Sequence, residues 1–453
     1  MAPWETRKRA ELSAKLHSVT DEHEHWLAVS KPDQPMEKHY SQVRAITGYL
    51  RPMAERLDQQ VTDTRDMRAG WRELEREVLD LHHVWSFFRD KWALRRLEEY
   101  CPYLVLADEF AWACYEPAQL RAVDAGTVRL DAVREPPLVY LGPVDGPLTL
   151  ARGDSIEDRF REEPLQSRTA RALVRQLPLP VVAVPWYQLR HLPEALMIGH
   201  EVGHVVLVDF LGLPAVEQLV VGRLTALGRP KAECDRWQKW AEEAFADVYG
   251  VLCGGPAYLE TLGDFLLPGD EPSAGDGWYP PPLLRLALTT AALEAAGCRD
   301  AAERVRASWD DEGVHLGDAD GHDTAVAVGK ALVAGPYPAF GRADCRGTTL
   351  DQVITCTAQC TTGNQAELLV AEEAWKPGTR EIRTLLAVAA EAFRLNPASF
   401  ARPVVQGNIL ERAAFIQLPG ARYQAWGSRG GREPKTDPAR VNELYETLTG
   451  GDR

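Results

Sequence analysis

Apolar and charged positions alternate with helical periodicity over the first 130 residues. Three long segments, residues 7–29, 37–67 and 71–100, repeat apolar side chains every three or four positions and contain few helix breakers. The apolar stripe of the third segment consists of Trp71, Leu74, Val78, Leu81, Trp85, Phe88 and Trp92. Such a stripe is typical of a face that packs against other helices. We therefore predict a helical N-terminal domain over residues 1–130.

Short β-branched runs in the middle of the chain predict a small sheet. Residues 179–184, Leu-Pro-Val-Val-Ala-Val, are followed by Pro185 and have the composition of a strand. Residues 138–141 and 148–150 are separated by Gly-Pro-Val-Asp-Gly-Pro, which predicts a hairpin that extends the same sheet.

Helical patterns return after the strands. Residues 234–253, 257–267 and 283–296 have helical spacing, and further helices, including residues 366–375 and 380–395, are predicted towards the C-terminus. The expected fold class is α+β and predominantly helical. The expected domains are residues 1–130, a core over residues 131–300, and a mostly helical region over residues 301–453.

The pentapeptide His-Glu-Val-Gly-His at residues 200–204 lies in a strongly apolar run that predicts a buried helix. His200 and His204 are four residues apart, so both imidazoles lie on one face and can reach one ion. Glu201 projects beside them, where a carboxylate can take a proton from a metal-bound water. The alternative is a pair of hydrogen-bonded core histidines. Burying two histidines and a glutamate costs free energy unless they have polar partners, and a bound metal ion would be such a partner.

A second acidic motif follows in the segment Glu-Glu-Ala-Phe-Ala-Asp at residues 242–247. Glu243 and Asp247 are also four residues apart and share a helix face. A catalytic zinc has three protein ligands and water, and its histidines give their second N–H to a carboxylate. Glu243 is therefore the expected third ligand, and Asp247 the expected partner of the His200 ring. A solvated acidic face is the alternative.

The two motifs together resemble those of the gluzincin metallopeptidases of the thermolysin type, which pair HExxH with a downstream ExxxD helix. The resemblance covers about residues 180–255. It implies a zincin-like core, Zn²⁺ bound by His200, His204 and Glu243, Glu201 as general base, and Asp247 behind His200. It also implies that an edge strand just before the active-site helix receives a peptide substrate, although residues 179–184 could equally form an ordinary core strand.

Other zinc peptidase clans can be tested on the same residues. A metzincin would continue HExxHxxGxxH, but Leu207 and Phe210 stand at the glycine and third histidine positions, which excludes that clan. In aspzincins an aspartate is the third ligand within DxxYG, and Asp247 precedes Tyr-Gly by one residue too few. Asp247 as a ligand remains an alternative. Glu242 is another, although it lacks the one-turn relation to Asp247.

The residue that would stabilise an oxyanion is left open by the sequence. Gluzincins commonly use a tyrosine or histidine from outside the two helices, and the candidates are Tyr187, His191, Tyr258, Tyr279, His315, His322 and Tyr337. Arg285 is a candidate for tying a following helix to the wall of the site.

Composition and charge narrow the classes of function. The chain has 45% hydrophobic and 26% charged residues, and its formal charge of −15 argues against nucleic acid as main partner. The N-terminus turns polar at once and no apolar run reaches about 18 residues, which predicts no leader and no membrane span. We expect a cytoplasmic protein with mostly reduced cysteines. The cluster of Cys345, Cys356 and Cys360 fits no zinc-ribbon spacing.

Three further segments carry no functional prediction of their own. The acidic loop at residues 310–323 lacks the residues that a calcium-binding loop needs at its first and twelfth positions. Arg152-Gly153-Asp154 predicts an ordinary turn, and the tail after Gly427 is rich in Gly, Arg and Pro.

These patterns lead to one main hypothesis and two alternatives. The main hypothesis is a zinc-dependent metallopeptidase that acts on a peptide or protein substrate. The first alternative is a regulatory or effector protease that cleaves one dedicated partner under the control of its helical flanks. The second is an inactive scaffold stabilised by zinc. Substrate, pathway and oligomeric state are left open by the sequence.

Overall fold

The described chain is predominantly helical and carries a small sheet, as predicted. The computed structural model describes residues 3–31, 34, 36–129, 134–155, 178–267, 277, 279–341, 348–357, 364–371 and 381–416. The tail after Gly427, together with Cys345 and Cys360 of the cysteine cluster, lies outside these residues.

The helices are numbered here in chain order over the described residues. They are α1 (Pro3–Val29), α2 (Tyr40–Asp63), α3 (Met67–Ala93), α4 (Cys101–Asp124), α5 (Ile198–Val206), α6 (Leu213–Ala226), α7 (Lys231–Lys239), α8 (Ala241–Leu266), α9 (Pro282–Ala295), α10 (Arg299–Asp311), α11 (His322–Ala334), α12 (Leu350–Val353), α13 (Gln365–Val370), α14 (Ile382–Leu395), α15 (Pro397–Phe400) and α16 (Pro403–Ile416). The predicted helix over residues 234–253 is split between α7 and α8. Helix α8 is kinked at Gly255, whose φ of 64° is not helical, so its two parts meet where the predicted helices over residues 234–253 and 257–267 are separated.

Three strands form one mixed sheet, with β1 at Leu138–Gly142, β2 at Leu148–Leu150 and β3 at Val181–Pro185. Their order is β1-β3-β2, with β3 parallel to β1 and antiparallel to β2. The predicted hairpin between β1 and β2 is wrong, because β3 is inserted between them.

The strand before the metal-motif helix is consequently the central strand of the sheet. It is buried along its whole length and paired on both sides. The expectation that it is an edge strand open to a peptide is therefore wrong. In its place the sheet presents β2, whose residues are partly exposed and whose second edge pairs with no described strand.

The sheet separates two hydrophobic cores. Alternate side chains of β1 and β3 point to opposite faces, because the side-chain period of a strand is two residues. On one face Leu138, Tyr140, Val181 and Ala183 pack with α1, α2 and α3, and the predicted stripe on α3 is buried there from Leu74 onwards. On the other face Val139, Leu141, Val182 and Val184 join α4, α5, α8 and the C-terminal helices.

Candidate metal centre

Helix α5 places the HExxH motif inside the second core. Every residue of α5 except His204 is buried, and the apolar residues around the motif hold it against α4, α8 and β2. A π-helical turn, Leu207–Leu211, follows at once and ends at Gly212, which has a φ of 78°. The two histidines therefore lie on a short helix that is packed in the core along its length.

The glycine of the motif sets how closely α5 and α8 approach. A Cβ added to Gly203 would lie 2.9 Å from the Ala246 Cα and 3.1 Å from the Tyr249 Cβ. Contacts below about 3 Å exceed normal packing, so only glycine allows this separation. Because Ala246 lies between Glu243 and Asp247 on α8, the close approach at Gly203 brings both carboxylates to the histidines.

Gly203→Ala is therefore expected to destabilise the fold by about 1–3 kcal/mol through overpacking. It should also weaken metal binding, because the helices must separate. Gly222→Ala in α6 is the matched control, since a Cβ there meets no atom within 4 Å, and we expect it to be neutral or slightly stabilising. Urea unfolding of both variants measures the effect. Equal stabilities would contradict the packing argument.

Three donor atoms converge between the two helices. The Nε2 atoms of His200 and His204 are 3.2 Å apart. Glu243 faces both rings, with its Oε2 3.3 Å from the His200 Nε2 and its Oε1 3.6 Å from the His204 Nε2, and either oxygen can serve as the third donor. Ligand atoms of a tetrahedral zinc with bonds of about 2.0–2.1 Å lie about 3.3 Å apart. Within the described residues this is the group that could hold a metal ion.

The outer nitrogens of both rings face carboxylates. The His200 Nδ1 is 2.9 Å from Asp247 and the His204 Nδ1 is 3.2 Å from Glu242. When both rings are neutral, donation from each Nδ1 leaves the two Nε2 lone pairs facing each other, an arrangement that a cation would stabilise. The Oε2 of Glu243 supports the same conclusion, because it is buried without a hydrogen-bond partner among the described residues. The donor set therefore fits a small divalent ion.

Asp247 is held from three sides. Arg285 donates from Nε to Oδ2 at 2.7 Å and from Nη2 to Oδ1 at 2.8 Å, and the Tyr258 hydroxyl lies 3.3 Å from Oδ1. Burial favours the neutral acid, but Arg285 outweighs it and keeps the pKa of Asp247 well below its usual range. Since both oxygens are occupied, the arrangement favours Glu243 over Asp247 as third ligand. Glu242 likewise lies behind His204 rather than among the converging atoms.

The carboxylates also control the charge of His200. Burial alone would lower its pKa, but Asp247 and Glu243 outweigh burial and raise the pKa of His200 to about 10. The same imidazole lowers the pKa of Glu243 against the effect of burial. Without metal, His200 therefore carries a proton at pH 7, and a metal ion must displace it.

Zinc binding at pH 7 is expected to release about one proton, and apparent affinity should rise about tenfold per pH unit between roughly pH 7 and 9. Calorimetric titration in buffers of different ionisation enthalpy measures the released proton. Glu242→Gln, which changes the partner of His204 instead, should leave the number of protons released on zinc binding unchanged. A binding heat independent of the buffer would contradict the protonated state of His200.

Glu201 lies beside the converging donors. Its side chain is one position after His200, about 100° further around α5, and the residue is 7% exposed. The Thr149 hydroxyl donates to its backbone carbonyl at 3.0 Å, which ties β2 to this turn of α5. From this position on α5, one residue after a candidate ligand, a carboxylate can accept a proton from a group bound between the helices.

The structure separates the oxyanion candidates. Tyr258 and Tyr337 are buried, and their hydroxyls are already used. Tyr258 donates to Asp247, and Tyr337 donates to the Leu332 carbonyl. Four others have a partner that is not in the donor set, namely Asp145 for Tyr187, Glu194 for His191, Asp310 for His315 and Asp323 for His322. Tyr279 is exposed, and its ring centroid lies 5.7 Å from the Arg285 guanidinium carbon. Of the seven, it is the exposed one next to the Asp247 network.

Two charged residues near the site were not singled out from the sequence. Asp209, in the π-helical turn after α5, is buried and bound by Arg152, Arg134 and Tyr115. Its signal was a lone carboxylate within an apolar run. Arg152 belongs to the predicted turn, which is present, but its side chain is buried rather than exposed.

Comparison of the chain with known protein families, curated proteins and solved structures gave no match. The resemblance to gluzincins therefore rests on the two motifs and their geometry. Over the described residues, no single helix has the length and apolarity to cross a membrane. One pair, Leu192–Leu211 and Leu213–Ala226, meets those criteria jointly but is bent by 99°.

Proposed function

We propose that this protein is a zinc-dependent metallopeptidase of the gluzincin type. The observation that carries the proposal is the convergence of His200, His204 and Glu243 at the spacing of zinc ligands, with Glu201 beside them. Two nitrogens and one carboxylate oxygen are the ligand set that catalytic zinc uses in this class of peptidase. The fold is then a zincin-like core flanked by helices.

Each chain residue has a distinct role in the proposed reaction. Zinc would supply Lewis acidity to the peptide carbonyl and to the attacking water. Glu201 accepts the proton of that water and passes it to the leaving amine. Asp247, held by Arg285, and Glu242 orient the two imidazoles so that both Nε2 atoms face inward.

The edge of the sheet supports a peptide as the substrate class. Strand β2 lies against α5, and an extended peptide can add to a free strand edge through main-chain hydrogen bonds. Such a peptide would lie beside the turn of α5 that carries Glu201. A strand-binding edge next to a Lewis-acid site suits hydrolysis of an extended chain.

Elemental analysis of purified protein tests the metal site. We expect about one zinc per chain in the parent and its loss in His204→Ala and Glu243→Ala, because removing one of three ligands leaves too few. Glu217→Gln on α6, where Glu217 bonds Gln238, keeps the three ligands and their partners and is the matched control. Zinc retained in Glu243→Ala would contradict the assignment of the third ligand.

Hydrolysis of a peptide library by the zinc-loaded parent, followed by mass spectrometry, tests the activity. Cleavage should stop when a chelator removes zinc and return when zinc is restored. Parent protein that holds zinc but cleaves no peptide would contradict the proposed function.

A further inference from the structure

Strand β2 is fastened to the metal-motif helix at two points. The first is the hydrogen bond from the Thr149 hydroxyl to the Glu201 carbonyl, at 3.0 Å. The second lies just beyond the strand, where Arg152 binds Asp209 in the π-helical turn after α5, with the Nε 2.9 Å from Oδ1. The side chains of Arg152 and Asp209 are 6% and 1% exposed.

The Arg152 guanidinium joins four segments. Besides Asp209, it donates from Nη2 to the Glu135 carbonyl at 2.7 Å and from Nη1 to the Pro178 carbonyl. These carbonyls precede β1 and β3, respectively. One side chain therefore connects the end of β2, the entries of the other two strands and the end of the motif helix.

The first fastening point lies within the metal motif, at Glu201, and the second lies five residues after its end, at Asp209. The two contacts have the same chain order on both segments. Thr149 on β2 meets Glu201 on α5, and Arg152, in the turn after β2, meets Asp209, in the π-helical turn after α5. His204 lies on α5 between Glu201 and Asp209, so the end of β2 and the turn after it lie along the part of α5 that carries this histidine.

We propose that Arg152 and Thr149 are positioning residues that hold the open edge of β2 at a fixed place beside the metal centre, so that an extended peptide on that edge is presented to it. This inference rests on the proposed function. Neither residue touches the metal ligands, and neither acts in proton transfer. Their role is to order the strand on which substrate binds.

Arginine is needed at position 152 because of its donor geometry. Its planar guanidinium offers five N–H donors, which serve a carboxylate and two carbonyls at once. A lysine keeps the positive charge next to Asp209 but has a single nitrogen, and it cannot reach all three acceptors. Lysine therefore removes the connection between segments without leaving Asp209 uncompensated.

Arg152→Lys and Thr149→Val test the proposal, because both keep side-chain size and avoid an unpaired buried charge. Arg121→Lys is the matched control, since Arg121 donates to the backbone carbonyl of Gln352 elsewhere on the surface. Three measurements are made on the full chain: zinc affinity by chelator competition, amide hydrogen exchange over residues 148–152, and kinetics on the peptide library.

In Arg152→Lys and Thr149→Val we expect zinc affinity within about threefold of the parent and amide exchange at β2 faster by about tenfold. The KM should rise by about tenfold while kcat changes less, because substrate placement and not chemistry is affected. Arg121→Lys should match the parent throughout. The proposal is overturned if amide exchange at β2 is unchanged, or if zinc affinity falls by as much as the KM rises. If the zinc-loaded parent cleaves no peptide, the proposed function fails, and exchange at β2 alone decides whether the two residues hold the strand.

Discussion

Glu201→Gln is expected to lower peptide hydrolysis by about 10³-fold while zinc stays bound, because the amide cannot accept the proton of the attacking water. The residue is not among the three converging donors, so the metal content should equal that of the parent. The substitution keeps the size of the side chain and its place on α5. The measurement combines elemental analysis with kcat/KM on a peptide released by the parent.

Glu217→Gln on α6 is the matched control, since Glu217 is half-buried and bonds Gln238 rather than any residue of the donor set. It should leave both zinc content and hydrolysis unchanged. Hydrolysis by Glu201→Gln at the rate of the parent would contradict its role as general base. Full biological effect without hydrolysis would favour the zinc-stabilised scaffold.

Asp247→Asn is expected to destabilise the protein by about 3–5 kcal/mol, because it leaves the Arg285 guanidinium buried without a compensating charge. Arg285 is 7% exposed and donates twice to this carboxylate. Zinc affinity should fall by about 10–100-fold, since His200 loses the partner of its Nδ1. Denaturant unfolding with and without zinc measures both effects.

Asp235→Asn, in an exposed ion pair with Lys231, is the control and should change stability by less than about 0.5 kcal/mol. The double replacement Asp247→Leu with Arg285→Met removes both charges together. We expect it to recover much of the stability but not the zinc affinity. Recovery of both would show that Asp247 does not orient His200.

Acid should reduce the contribution of Asp247 to the free energy of unfolding. Its pKa is lowered in the folded state, so its stabilisation is complete above the unfolded value near pH 4 and is lost as the pH falls further. Asp247→Asn should therefore lose stability less steeply below that pH than the parent.

The ligand pair of α5 and the acidic face of α8 could be predicted because each depends on local geometry. Residues four apart share a helix face, whatever the helix packs against. The same holds for the stripe on α3, which becomes core because the helical period alone collects its apolar residues.

The order of the strands could not be predicted from the same patterns. A six-residue connection rich in Gly and Pro between two strands favours a hairpin locally. The insertion of β3 between β1 and β2 is decided by burial on both faces of the sheet, which a local pattern does not report. This difference moved the open edge from β3 to β2.

The amino-acid sequence by itself determined the predominantly helical class, the two motifs and which side chains within each helix stand together, because helical periodicity depends only on neighbouring residues. The tertiary structure alone decided that α5 and α8 meet at Gly203, that Arg285 closes on Asp247, and that Arg152 joins the edge strand to Asp209. Those contacts join residues far apart in the chain. Their formation depends on which apolar surfaces pack together, and the spacing of neighbouring residues does not predict this packing.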